Sequence, residues 1–160
     1  MRILGIDPAL SVTGYGAIEY DKNNLALVEA GIIETKAGSA LPERLNKIYS
    51  SVKKLIADIR PDAVVLEKIY SHYRHPATSY LLGHARGVIC LAVSRENALL
   101  IEYAATRVKK AVVGKGLASK FQVQRMVQKL LDLKSLPRYN DVTDALALAI
   151  AHCYILRTSL

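Results

Sequence analysis

Apolar residues near the N-terminus of this chain come in short continuous runs. Further along they recur at helical spacing, so the pattern predicts strands first and helices later. Arg2–Asp7 is too hydrophobic for an edge strand and predicts a buried strand that delivers a carboxylate at its C-terminal end. Pro8 stops the pairing, and residues 13–20 resume as a second strand after a tight turn. The turn cluster Asp21-Lys22-Asn23-Asn24 leads into a third strand over residues 25–35, giving an antiparallel meander. Across residues 43–59 the period becomes helical, with Leu45, Ile48, Tyr49, Val52, Leu55, Ile56 and Ile59 on one side and Lys47, Lys53, Lys54 and Asp58 on the other; Pro61 is the stop. Ala63–Glu67 is another apolar strand that ends in a carboxylate. The loop at 68–76 holds Tyr70, His72, Tyr73, Arg74 and His75, a basic and aromatic mixture with little to build a core. Residues 77–97 predict a long helix in which Gly83 and Gly87 permit close helix packing, residues 99–103 a further strand, and residues 107–113 a short basic helix broken by Gly114-Lys115-Gly116. Residues 119–131 predict an amphipathic helix with Val123, Met126, Val127, Leu130 and Leu131 inward and Lys120, Gln124, Arg125 and Gln128 outward. After a polar connection containing Pro137, Asp141-Val142-Thr143-Asp144 opens a closing helix that is almost wholly apolar as far as Cys153.

The elements run βββ-α-β-α-β-α-α-α. That order predicts an α/β chain with a mixed five-stranded sheet, antiparallel over its first three strands and then parallel over the fourth and fifth, flanked by helices on both faces. Sites in such sheets form outside the carboxyl ends of strands, which is where Asp7 and Glu67 fall. Asp141 and Asp144 share one face at the mouth of a buried helix, where a charge is costly unless it is capped, paired or bound to a cation. Capping by Asn140 or Asp141, with Asp144 in the first turn, is the ordinary explanation. The alternative is a four-carboxylate cluster with Asp7 and Glu67, whose mutual repulsion calls for cations and whose hard oxygens select Mg²⁺ or Mn²⁺.

Composition narrows the choice. The 160 residues, 51% of them hydrophobic, suit one domain over residues 1–160 with a sizeable core. A formal net charge of +8 adds a polyanionic partner. Together with the acids it points to two-metal hydrolysis of a phosphodiester. Cys90 and Cys153 lie in apolar helical runs and read as small buried hydrophobes, with no disulfide framework or zinc site. No secretory signal is visible, and the closing helix, interrupted by His152, falls short of the about 20 apolar residues that span a bilayer. A soluble, cytoplasmic protein without membrane partners is expected.

Gly5-Ile6-Asp7-Pro8 with Thr13-Gly14-Tyr15-Gly16, then Leu82-Gly83-His84-Ala85-Arg86-Gly87, Glu102-Tyr103-Ala104, Val108-Lys109 with Val112-Val113-Gly114, and Asp144-Ala145-Leu146-Ala147 together resemble the RuvC family of Holliday-junction resolvases. The resemblance holds in order and spacing from residue 3 to about Cys153. It implies a ribonuclease-H-like fold, a homodimer, and Mg²⁺-dependent paired incision of four-way DNA junctions in homologous recombination and DNA repair. It further implies two Mg²⁺ per active site, with Mn²⁺ able to substitute, and the RuvA and RuvB branch-migration proteins as partners. By the same resemblance Asp7, Glu67, Asp141 and Asp144 are the catalytic, metal-holding acids, Lys109 and Lys120 the active-site lysines, and Tyr70 the junction-facing aromatic. Arg74, Arg107, Lys110, Lys115 and Arg125 join Tyr70 as expected DNA contacts. The chain departs from the family pattern at Ala9-Leu10, where a glycine is usual after Asp-Pro and a different turn geometry is expected. The loop after Glu67 is also longer and richer in His, Tyr and Arg. Asp141 occupies a position that varies between Asp and His, either of which binds a metal.

Other classes use some of the same residues. A non-catalytic junction-binding protein keeps the basic surface and the dimer but has no use for four acids. A generic ribonuclease-H-like or integrase-like nuclease shares the acids but not the stretches at 83–87 and 109–114. An actin-like sugar kinase or ATPase shares Gly5-Ile6-Asp7 and a downstream Thr-Gly but needs a second lobe that this length does not supply. For a single lysine a solvated helix face is the ordinary account. His72 and His75 read as exposed loop residues, and His84 and His152 as helix-packing polar groups.

Overall fold

The first strand, β1 (Arg2–Asp7), runs through the middle of a five-stranded sheet of order β3-β2-β1-β4-β5. The computed structural model describes residues 1–22, 24–69 and 76–157. β2 (Val12–Asp21) and β3 (Asn24–Glu34) form the antiparallel half, while β4 (Ala63–Glu67) pairs parallel to β1 and β5 (Leu100–Tyr103) parallel to β4. The helices are α1 (Leu41–Ile59), α2 (Pro76–Arg95), α3 (Ala105–Val113), α4 (Lys120–Leu130) and α5 (Asn140–Arg157).

Side-chain alternation divides the core in two. Leu4 and Ile6 of β1, with Val64 and Leu66 of β4, pack with Ile48, Val52 and Ile56 of α1 and Ile89 of α2. Ile3 and Val65 point the other way, into a cluster with Leu146 and Ile150 of α5, Val108 of α3 and Val127 of α4. Asp7 and Glu67 continue the odd-numbered register of Ile3 and Val65, so both carboxylates leave the sheet on the α5 side. Helix α5 is buried on nearly every side from Val142 to Cys153 because it is clamped between the sheet and α3 and α4. A helix apolar all round is what that position requires.

The boundaries differ from the sequence expectation for local reasons. Helix α1 begins at Leu41, with a proline in its first turn, and α2 stops at Arg95 because Asn97 adopts a left-handed conformation at φ 52°. Helix α4 starts after Ser119, whose side chain accepts from Gln122 N at 3.2 Å while Gln122 Oε1 accepts from Ser119 N at 2.8 Å, a complete capping box. Gly83 and Gly87 are both exposed, and among the described residues a Cβ at either would meet nothing within 4 Å, so the close approach they permit is open on the outside of α2. The Ala9-Leu10 turn needs no glycine, since neither residue has a positive φ. Thr13 closes it, donating to Ala9 O at 2.6 Å and accepting from Ala9 N at 3.3 Å, and Leu10 is buried in the core.

Candidate active site

Three elements bring the acids together. Ile6 pairs with Leu66, so the next residues, Asp7 and Glu67, end neighbouring parallel strands. On the other side Asp7 pairs with Gly14 and Gly5 with Gly16, which places glycines beneath the N-terminal half of α5. A Cβ on Gly5 would overlap the carbonyl oxygen of Ala145, one on Gly14 the carbonyl of Asp141, and one on Gly16 would come within 2.6 Å of the Leu146 side chain. The missing side chains let α5 press onto the sheet, and that approach sets Asp141 and Asp144 beside Asp7.

Asp7 is the hub of the cluster. Its carboxyl is pushed up to about 7 from 3.8, first by burial and then by the negative fields of Asp144, Asp141 and Glu67, with Lys120 opposing. Glu67 is also raised, by burial and by Asp144, against the lowering influence of Lys109 and Arg86. Lys120 Nζ donates to Asp144 Oδ2 at 2.7 Å, and this hydrogen bond holds the ammonium charged. Asn140 Oδ1 accepts from Gln124 Nε2 at 2.8 Å, tying the start of α5 to α4. Asp7, Glu67, Asp144, Lys109 and Lys120 face a cavity of about 340 Å³, while Asp141 acts on Asp7 through its field without lining it.

The donor set fits a hard divalent cation. Asp7, raised by burial and by the fields of Asp144, Asp141 and Glu67, and Glu67, raised by burial and by Asp144, are relieved when a cation displaces the proton. Among the described residues, no three His, Cys, Asp or Glu side chains are arranged to hold an ion as they stand. Lys120 on Asp144 supplies positive charge in that arrangement.

The expected DNA contacts are distributed unevenly. Arg107 and Lys110 belong to α3 but face a separate groove with Tyr154 and Ile155, and the Arg107 guanidinium lies over the Tyr103 ring at 5.2 Å from its centre. Lys115 is exposed in the loop before α4, and Arg125 is exposed on α4, donating to Gln128 Oε1 at 3.0 Å. Tyr70 and Arg74, with the rest of the loop at 70–75, lie outside the described residues. His152 is buried, its Nδ1 2.8 Å from the hydroxyl of Tyr103 on β5, whereas His84 Nδ1 lies 2.9 Å from Tyr80 O one turn earlier in the same helix.

Sequence reasoning missed Arg86. Its side chain is 12% exposed, donates to the Glu67 backbone carbonyl at 2.8 Å and pairs with Glu102, so it braces the ends of β4 and β5 directly behind the Glu67 carboxylate. The signal was Arg86 itself, the one cation within the otherwise uncharged run from Pro76 to Ser94.

Comparison with known proteins agrees with this arrangement. The family model for the crossover junction endodeoxyribonuclease RuvC matches residues 3–152. The crossover junction endodeoxyribonuclease RuvC of Alkaliphilus oremlandii is 43% identical over 154 residues, 96% of this chain and 93% of that protein. That of a Janthinobacterium species is 46% identical over 154 residues, 96% of this chain and 84% of its own length. Among solved structures, T. thermophilus RuvC in complex with a Holliday junction substrate superimposes with a TM-score of 0.93 at 30% identity, covering 99% of this chain and 96% of that one. The yeast mitochondrial Holliday junction resolvase shares the fold at a TM-score of 0.69 and 11% identity, covering 95% and 78%. The mixed sheet with helices on both faces is thus the ribonuclease-H-like architecture of these enzymes. A match over almost the whole length, in sequence and in structure, means that this chain belongs to the RuvC family of crossover junction endodeoxyribonucleases.

Proposed function

We propose that the protein resolves four-way DNA junctions by paired, symmetric incisions, with Asp7, Glu67, Asp141 and Asp144 as a metal-holding quartet. The observation that carries this reading is the convergence of the four acids, from two strand ends and one helix mouth, with Lys109 and Lys120 at their rim. When bound, two Mg²⁺ ions, or Mn²⁺ in their place, activate water near neutral pH and stabilise charge on the attacking and leaving oxygens. Asp7, Glu67, Asp141 and Asp144 would hold the cations, with Asp7 in the field of all three other acids and Glu67 in that of Asp144. Lys120 and Lys109 place positive charge against the phosphate as water attacks phosphorus in line and the bond to the 3′ oxygen breaks. The products are a 5′-phosphate and a 3′-hydroxyl. Mapping the ends and resealing them with DNA ligase tests this; ends that ligase rejects would overturn it.

Two cuts related by symmetry need two sites, so the proposal includes a homodimer. Exposed Tyr80 and Leu91 on α2, with the open faces of Gly83 and Gly87 between them, suit a second copy of that helix. Recombination and repair in the cytoplasm, alongside RuvA and RuvB, complete the reading. Among the described residues, no helix is long and apolar enough to cross a membrane.

Junction affinity is expected to fall steeply with salt, because each phosphate neutralised by Lys115, Arg125 and their neighbours releases counterions. A log–log slope of about −4 or steeper between 50 and 200 mM NaCl fits several such contacts. A flat response would remove the basic surface from the interface. Tyr70 is proposed to stack on a base that has lost its neighbour at the crossover. Tyr70→Ala is then expected to slow incision about tenfold or more with little change in affinity, and Tyr70→Phe to stay near wild type. Equal losses in both variants would point to the hydroxyl instead.

A further inference from the structure

Phe121, the only phenylalanine in the chain, is 65% exposed at the second position of α4, beside Lys120. Leu117, two residues before the cap, is 94% exposed. A folded domain gains nothing in its own stability from an aromatic ring held in water, and the capping box fixes the helical turn that carries this one. The ring forms one wall of a groove of about 600 Å³ along the outer face of α4, whose apolar walls include Met126 and Leu133. Arg125 and Lys129 supply two cations to that groove against the single acid Asp132. Neither Phe121 nor Lys129 is needed by the chemistry described above.

We infer that this groove binds the DNA strand as it leaves the scissile phosphate, with an unstacked base against Phe121 and the following phosphates against Arg125 and Lys129. The inference rests on the junction-resolving reading of the acid cluster and extends it. Continuity argues for DNA as the occupant. Lys120 reaches Asp144 in the acid cluster, and Phe121 is the next residue of α4, turned about 100° from it, so the groove runs along the flank of the same helix whose neighbouring face borders the acid cavity. The chemistry argues the same way: an aromatic face, flanking apolar walls and cations along one side are what a single-stranded segment needs, since every base has a π-face and every linkage a charge. A protein partner would be expected to meet a more balanced rim of charges.

The test uses the intact protein without divalent cation, so that binding is read without incision. The probe is a four-way junction carrying 2-aminopurine at positions near the crossover, beside a matched duplex. Phe121→Ala is expected to weaken junction binding roughly tenfold while changing duplex binding less than about twofold, and Phe121→Tyr to bind like wild type because the ring face is kept. The 2-aminopurine emission is expected to change on binding of wild type and Phe121→Tyr and to stay near the free value with Phe121→Ala. The melting temperature should be unaltered in both variants, since the ring is exposed. Unchanged junction affinity and emission in Phe121→Ala would overturn the inference, and so would an equal loss on the duplex, which would place the ring against paired arms. Normal junction binding with loss of self-association in sedimentation would assign the groove to a second copy of this chain and also overturn it. Wild type that binds the duplex as well as the junction would remove the underlying functional reading as well.

Discussion

Asp7→Asn is expected to cut a four-way junction slower than wild type by on the order of a thousandfold or more, while binding it as tightly or more tightly. The amide keeps the size of the side chain but removes the negative oxygen that faces Glu67, Asp141 and Asp144 together. Binding is expected to persist because the acids are proposed to hold cations rather than phosphates, and losing one negative charge beside the DNA favours the polyanion. Glu67→Gln should behave in the same way. Normal incision by either variant would remove that residue from the chemistry.

The same substitution carries a signature that needs no substrate. The Asp7 carboxyl sits at about 7 in the folded chain, against 3.8 ordinarily. Between about pH 4 and pH 7 the folded state therefore keeps a proton that the unfolded state has lost, so stability falls as pH rises through this window. Above it the folded chain carries the full cost of a crowded carboxylate, on the order of 4 kcal/mol before solvent relaxation. In EDTA, the melting temperature of wild type is expected to drop from pH 5 to pH 8, and Asp7→Asn to flatten that drop. Added Mg²⁺ or Mn²⁺ should restore wild type at pH 8 and do much less for the variant. A wild-type melting temperature that rises over the same interval would contradict the crowding of the four acids.

Gly5→Ala is expected to destabilise the chain by about 3 kcal/mol or more, near the upper end for overpacking, which for a domain of this length is roughly 6–12 °C in melting temperature. Its new methyl would run into the Ala145 carbonyl, with Ala149 N only 3.1 Å away. Both are helix backbone atoms that no rotamer change can move, so α5 must lift from the sheet. Gly14→Ala presses on the backbone of Asp141 itself, so incision should suffer more than stability does. Gly31→Ala is the internal control, because its methyl would meet the far end of the Tyr15 side chain, which can swing away. Small losses at Gly5 and Gly14, no greater than at Gly31, would show that α5 does not need the close approach.

These glycines mark where the sequence stops being legible. Asp7 and Glu67 could be read from two apolar runs that each end in an acid, and alternation along the strands sends both to one face. The closing helix announced itself by being apolar on every side. What the pattern could not convey is which part of the sheet that helix crosses, so Gly14 and Gly16 were visible as a motif without their purpose. The lysines illustrate the same limit. Lys109 lines the acid cavity while its neighbour Lys110 faces a different groove, a distinction set by the rotation of α3 about its buried Val108 and Val112. Arg86 was hidden because its two partners come from strand ends distant in sequence, Glu67 and Glu102. Gly83 and Gly87 were legible as small residues that permit close helix packing, but the outward turn of the face they open was not.

The most direct test of the account is incision of three substrates side by side: a four-way junction, a matched duplex and an RNA–DNA hybrid, each with Mg²⁺ and with EDTA, by wild type and by Asp7→Asn. Symmetric cuts are expected in the junction alone, by wild type alone, and only with the cation present. Cutting of the hybrid or the duplex at a comparable rate would make the protein a general ribonuclease-H-like nuclease, and tight junction binding without any incision in Mg²⁺ or Mn²⁺ would make it a binding protein whose four acids do no chemistry.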